Sequence, residues 1–407
     1  MNAPAVPPGG FEVRGTELMA GGRSVTELAG EAGTPLYVYD GGLMAARVKA
    51  LRAAMPAGLG LHYAIKANPL SAVVAHLARL VDGLDVASSG ELERALATGI
   101  TPARISFAGP GKTDAELRAA ALAGVTINLE SAGEMRRLAA ISAGLGIRAR
   151  VAVRVNPLFE LRQSGMRMGG GPKQFGVDEE QVPALLAELA GLPLEFLGFH
   201  IFAGSQILND DVLIDCLDKT VDLAIRLAAG APAPVRYVNL GGGFGIPYFP
   251  GETALDIGRI GRALGPLLER GRSACPDAAF AIELGRYLVG EAGIYVARVV
   301  DRKVSRGKTF LVTDGGLHHH LALSGNFGQV IRKNYPVAIA GRMGMPAVET
   351  VDIVGCLCTP LDRLGDNVAL PEAAVGDLVV VFQSGAYGAS ASPSGFLGHP
   401  PPEEVFL

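Results

Sequence analysis

The sequence predicts an α/β fold: a parallel (β/α)8 barrel followed by an all-β domain. Three observations carry that expectation. From residue 61, short apolar strands ending in small or polar residues alternate with helical patterns, eight times in about 225 residues. From residue 290 the helical patterns give way to strands separated by turns. Finally, 55 of the 407 residues are glycine, roughly twice the usual share. They show no G-X-Y period, so the excess marks tight turns and places where backbone comes close to something.

Residues 1–10 are rich in Pro and Gly and are expected to fray. FEVRGTEL (11–18) reads as a strand that joins the β-domain, so residues 1–34 form an N-terminal segment. LYVYD (36–40) leads into a helix through Met44, Val48 and Leu51. The barrel strands follow: LHYAIKAN (61–68), LDVASS (84–89), RISFAGP (104–110), TINLES (126–131), VAVRVN (151–156), GFHIFAGS (198–205), YVNLGGG (237–243) and AIELGR (281–286). Helical patterns such as 91–99 and 132–142 separate them. Continuous apolar strands between helices mean a parallel sheet covered on both faces. A doubly wound open sheet is the alternative. The expected boundaries are 35–289 for the barrel and 290–407 for the C-terminal β-domain. PLFELRQSGMRMGGGPKQFG (157–176), with Gly169, Gly170 and Gly171, is too glycine-rich for helix or strand and reads as a lid.

Composition excludes several classes. Hydrophobic residues make up 49% and charged residues 19%, which rules out a disordered chain. The mean hydropathy of +0.31 reflects alanine, and no uncharged apolar run is long enough for a membrane span. A net charge of -4 argues against nucleic acid and anionic membranes as partners. Four cysteines are too few for a disulfide framework. MNAPAVPPGG has neither a basic n-region nor an apolar h-region, so no signal peptide is expected. The setting expected is cytoplasmic.

Two motifs point to chemistry. In Tyr63-Ala64-Ile65-Lys66-Ala67-Asn68 a lysine ends an apolar strand. Such a lysine either extends to solvent or is used covalently with a carbonyl. In Asn239-Leu240-Gly241-Gly242-Gly243-Phe244-Gly245, consecutive glycines let backbone N–H groups approach an anion. Barrels often bind phosphate with the loops after their last two strands. Glu283-Leu284-Gly285-Arg286 then supplies an arginine for the same phosphate. Lysine, glycine loop and arginine together favour a phosphorylated carbonyl cofactor, which is pyridoxal 5'-phosphate (PLP).

With these motifs in this order, the chain resembles the fold-type III PLP-dependent decarboxylases, the ornithine/diaminopimelate/arginine decarboxylase family. The resemblance runs from about residue 30 to 400 through YAIKAN, LDVASSGE, GFHIFAGSQ, NLGGGFG, ELGR, CLCTPLD and SGAYG. It implies a PLP-binding barrel with a C-terminal β-domain, as in alanine racemase-like folds, and a homodimer with shared active sites. It implies that Lys66 holds PLP and that Gly241, Gly242, Gly243, Gly285 and Arg286 bind its phosphate, with Ser205 and Tyr387 assisting. Glu283 would face the pyridine nitrogen, Arg154 would lie below the ring, and Asp85 and Glu91 match acidic positions near the cofactor. Cys358 would come from the partner subunit and protonate the carbon left after CO2 departs. A structural cysteine is the other reading of Cys358, and Cys356-Leu-Cys358 lacks the second cysteine pair of a metal motif.

Three positions depart from the family pattern. Family members usually read His-x-His in GFHIFAGSQ; here His200 keeps the first position and Phe202 takes the second. A phenyl ring can stack but carries no proton. The residue after the catalytic cysteine is usually acidic and grips a distal ammonium; here it is Thr359. Diaminopimelate enzymes carry a carboxylate-binding arginine after the DAG-type motif; here Asp314-Gly315-Gly316 runs into His318-His319-His320. The adjacent histidines read as pocket or loop residues, and no metal is expected. Thr359, Asp362 and His318 are the expected substrate contacts.

These departures argue against free diaminopimelate, lysine or ornithine. GFHIFAGSQ, DGGLHHHLALSGNFGQ, CLCTPLD and QSGAYGASASP resemble the branch associated with exosortase and exopolysaccharide clusters. Its relatives decarboxylate an amino acid carried on an acyl-carrier protein. A diaminopimelate decarboxylase and a non-catalytic PLP carrier protein are the alternatives. A racemase would need a second base, and no tyrosine motif for one is found.

Overall fold

The computed structural model describes residues 7–160, 166–167, 169–324 and 333–407. The chain divides into two compact units: one holds 48–245 and 253–285, the other 1–47, 246–252 and 286–407.

The first unit is a closed barrel. Its strands are β1 (Gly60–Ala64), β2 (Gly83–Val86), β3 (Ile105–Phe107), β4 (Thr126–Leu129), β5 (Ala149–Asn156), β6 (Leu194–Ile201), β7 (Tyr237–Asn239) and β8 (Ala279–Leu284). Each pairs in parallel with the next, and β8 pairs with β1 through Ala281↔Gly60 and Leu284↔Tyr63. Closure in sequential order sets aside the open sheet.

The strand–helix alternation has a local cause. Small polar residues beyond the strands are the N-caps of the helices that follow. Ser88 accepts from Glu91 N, Ser131 from Glu134 N and Asn209 from Val212 N. Thr113 and Glu116 close a full capping box. Each cap is worth about 1 kcal/mol. Strand C-terminal ends and helix N-termini therefore share one rim, where barrel enzymes keep their chemistry. All the strands except β5 end earlier than the apolar runs suggest. β1 stops at Ala64, and Ile65–Ala67 form a 3-10 turn.

The second unit is mainly β. Its long strand Gly293–Ser305 pairs at its start with Leu36–Tyr39 and Leu378–Val381, and at its end with Lys308–Thr313. Glu349–Val354 and Arg363–Leu370 extend that side, Val337–Ile339 flanks Leu378–Val381, and Glu403–Phe406 covers the outer edge of Leu36–Tyr39. LYVYD therefore pairs within the β unit. FEVRGTEL forms a small antiparallel sheet, Glu12–Arg14 against Glu17–Ala20. Its Phe11 and Leu18 join the β unit by packing into a core with Val38, Ile294, Val380 and Phe382.

Two glycines of helix Ile257–Ala274 give a paired test. A Cβ on Gly261 would lie 1.8 Å from the Ala54 carbonyl oxygen, whereas one on Gly265 meets nothing within 4 Å. Gly265→Ala should stabilise the protein by up to about 1 kcal/mol through helix propensity. Gly261→Ala should cost about 1–3 kcal/mol because backbone must shift. Urea unfolding of both variants measures this, and equal effects would contradict the packing described.

Candidate active site

The YAIKAN turn is pinned from below. Tyr63 Oη donates to the Asn68 carbonyl at 2.8 Å, and Asn68 Oδ1 accepts from Leu70 N at 3.1 Å. Ile65 and Ala67 are buried while Lys66 is exposed, so the turn projects its ammonium beyond the strand end. Lys66 Nζ stands 5.5 Å from the centre of the Phe202 ring.

Glu283, near the end of β8, is buried at 7% exposure. His200 Nε2 from β6 lies 3.1 Å from its Oε2, and Asn239 Nδ2 from β7 donates to the same oxygen at 3.1 Å. Burial is the strongest single influence and favours the neutral acid. His200, Lys66 and Arg154 together outweigh it and hold the carboxyl well below the usual carboxylate range.

Asn239 also fixes the glycine loop, since its Oδ1 accepts from Gly241 N at 2.8 Å. Glu283 N donates to the Gly241 carbonyl at 2.9 Å. Gly241 has φ +71°, and a Cβ there would lie 2.5 Å from the Ile201 carbonyl; on Gly242 it would lie 1.9 Å from that of Glu283. Gly243 packs the same way against Gly204, and Gly285 against Ala67 of the lysine turn. The loop thus presses onto the ends of β6 and β8, which only glycine permits. Ser205 is half-buried in a two-residue ladder with Met166–Arg167.

Arg154 on β5 donates to Glu130 Oε1 at 2.7 Å, with the Phe175 ring 5.0 Å from its guanidinium. Burial pushes Glu130 up, but Arg154 reverses this and holds it below the usual range. Alongside, buried Lys112 donates to both oxygens of Glu134 at 3.0 and 3.2 Å. Asp85 on β2 faces His62 Nδ1 at 3.4 Å, while its buried Oδ2 has no partner among the described residues. Glu91 accepts from Ala87 N at 2.7 Å, and burial pushes its carboxyl up.

In the β unit, Arg286 donates to Tyr248 Oη at 2.7 Å, and its guanidinium lies 4.7 Å from the centre of the Tyr387 ring. Its Nε is buried without a partner among the described residues. Cys358 is exposed and Thr359 half-buried. Asp362 is turned inward, its two oxygens accepting from Leu317 N and Leu357 N at 2.7 and 2.8 Å. His318 is wholly buried.

The barrel rim thus brings together Lys66, Asp85, Arg154, His200, Phe202, the glycine loop and Glu283. Arg286 with Tyr387, and Cys358 with Thr359, belong to the β unit. Sequence reasoning missed Glu130, Lys112, Glu134 and His62, and the second roles of Asn239 and Tyr248. Asn239 and Tyr248 flank the glycine loop, which was the available signal. Residues 161–165 and 168 of the expected lid, and 325–329 of DGGLHHHLALSGNFGQ, lie outside the described residues. A cavity of about 450 Å³ opens among the strand N-terminal ends, lined by Gly60, His62, Arg104 and Tyr237. Its His62 is the residue that faces Asp85.

An exposed amine, a buried ionised carboxylate, an aromatic ring and a glycine cradle suit a heteroaromatic aldehyde. Residues 42–290 match the family described as "Pyridoxal-dependent decarboxylase, pyridoxal binding domain". The chain belongs to this family. It is a fold-type III PLP-dependent decarboxylase, a carboxy-lyase acting on amino acids. It is 39% identical to "L-glutamyl-[BtrI acyl-carrier protein] decarboxylase" of Niallia circulans over 391 residues, covering 94% of this chain and 90% of that protein. It is 35% identical to the diaminopimelate decarboxylase of Pseudomonas aeruginosa over 386 residues, covering 93% and 89%. Among solved structures, diaminopimelate decarboxylase from M. jannaschii in co-complex with L-lysine has a TM-score of 0.88 at 25% identity, covering 98% and 92%. Family membership implies PLP. Among the described residues, no helix is long and apolar enough to cross a membrane.

The depressed acidity of Glu283 has a testable consequence. Its folded value lies below its unfolded one, so its stabilisation is full above the unfolded value and lost as pH falls through the folded value. Urea unfolding should show the stability of wild type relative to Glu283→Gln decreasing between about pH 5 and about pH 3. A pH-independent difference would mean that the carboxylate is not held ionised.

Proposed function

We propose that this chain decarboxylates an amino acid carried on an acyl-carrier protein, working as a cytoplasmic homodimer with PLP on Lys66. The observation that carries the substrate reading is Thr359. It places a neutral hydroxyl beside exposed Cys358 where the family resemblance expects an acid, and Asp362 on the same turn is engaged with backbone. A carrier-bound substrate needs no counter-charge for a free distal ammonium. The relative named for an acyl-carrier-protein substrate supports this reading. The four cysteines are all free thiols, which suits a reducing compartment.

PLP, when bound, supplies the electron sink that lets the α-carboxylate leave as CO2. Glu283 would hold a proton at the ring nitrogen, with His200 and Asn239 positioning its carboxylate. Phe202 would cover one ring face, with Arg154 held by Glu130 below the other, and Asp85 at the rim. Gly241, Gly242, Gly243, Ser205, Gly285, Arg286 and Tyr387 would take the phosphate, with Tyr248 orienting Arg286. Cys358 Sγ of the partner subunit would deliver a proton to the substrate carbon after CO2 departs.

Purified protein should absorb near about 420 nm, as lysine-bound PLP does, and Lys66→Ala should abolish both that band and CO2 release. Cys358→Ser should keep the band and lose about 10²–10⁴-fold in turnover. CO2 release should be faster from an aminoacyl-carrier protein than from free meso-diaminopimelate. Equal or faster release from meso-diaminopimelate would favour the diaminopimelate reading, which the 35% relative represents.

A further inference from the structure

Three side chains from separate stretches of the β unit converge. His318 follows strand Lys308–Thr313, Cys356 follows Glu349–Val354, and His399 precedes Glu403–Phe406. Their donor atoms all lie within 4.8 Å of one another. Cys356 Sγ is 3.8 Å from His399 Nε2, and the ring centres of His318 and His399 are 5.1 Å apart.

The neighbouring histidines show why His318 is different. His319 Nε2 sits 2.9 Å from the Pro400 carbonyl, and its Nδ1 3.3 Å from Tyr295 Oη. His320 Nε2 sits 3.0 Å from Ser384 Oγ. His318 is 0% exposed, and neither of its ring nitrogens has a hydrogen-bond partner among the described residues. A buried polar group left this way is unfavourable, because it has given up its water without gaining a partner. A ligand that takes its lone pair removes that cost.

We propose that His318, Cys356 and His399 form a three-ligand site for a divalent metal ion of the zinc type, its fourth position open to water. Tetrahedral zinc with bonds of about 2.0 Å to nitrogen and 2.3 Å to sulfur sets such donors about 3.5 Å apart. Cys356 Sγ and His399 Nε2 at 3.8 Å are already close to this spacing, and the set as a whole, within 4.8 Å, closes on the ion by side-chain rotation. A thiolate with two imidazoles favours zinc over magnesium or calcium, which prefer oxygen. Binding removes the Cys356 thiol proton to solvent and leaves the sulfur as the anionic ligand. The ion would tie the 355–362 turn, which carries Cys358, to the segment before the last strand. The adjacency of three histidines is incidental: one of them ligates, together with residues distant in sequence.

The test is a Co2+ titration of full-length protein, freed of metal by a chelator and desalted. The expected result is one Co2+ per chain, a thiolate-to-cobalt absorption band in the near ultraviolet, and displacement of that band by Zn2+. Cys356→Ser and His399→Ala should each lose the band, and Cys358→Ser should keep it. His399 is only partly buried, so its removal spares the core if a change at His318 prevents folding. Absence of the band in wild type would overturn the site. So would a band that survives in both Cys356→Ser and His399→Ala, or one that disappears only in Cys358→Ser.

Discussion

Glu283 is an ionised carboxylate inside a barrel, and such a charge persists only where its surroundings are arranged for it. Four strand ends contribute. His200 comes from β6, Asn239 from β7, Arg154 from β5 and Lys66 from the turn after β1. These elements neighbour one another only because the parallel strands close into a ring. Removing one partner of a buried charge typically costs about 3–5 kcal/mol, because the other is left uncompensated. The acid therefore binds fold and chemistry together: the ring assembles the cations, and the cations keep the acid charged.

A second layer supports the first. Arg154 is held by Glu130, which a glycine amide at residue 176 also fastens, and the Lys112–Glu134 pair is buried alongside. The glycine loop belongs to the same construction through Asn239, which accepts from Gly241 and donates to Glu283. Any Cβ on Gly241 or Gly242 would strike a strand carbonyl. The glycine excess thus includes backbone pressed against backbone at the site, sharp exits from helices such as Gly124 and Gly146, and hairpin turns such as Gly22 and Gly307.

Much of this was legible in the sequence because its causes are local. Apolar strands buried on both faces, and polar strand ends that cap the next helix, produce the barrel rhythm directly. The order of YAIKAN, NLGGGFG and ELGR pointed to the family and its cofactor. What was not legible depends on distant pairing. Leu36–Tyr39 reads as another strand before a helix, yet its partners are Gly293–Ser305 and Glu403–Phe406. The 3-10 turn at Lys66 hides inside an apolar run. Glu130 looks like the polar end of any strand until Arg154 is seen against it. His318, Cys356 and His399 lie too far apart in sequence for any spacing to show that their donor atoms converge.

On the proposed function, the charge kept on Glu283 holds a proton on the cofactor ring. The direct measurement is 15N NMR of protein loaded with PLP labelled at the pyridine nitrogen. The account predicts a protonated nitrogen in wild type across the neutral pH range, lost in Glu283→Gln. An unprotonated nitrogen in wild type, or a protonated one unchanged by Glu283→Gln, would contradict it.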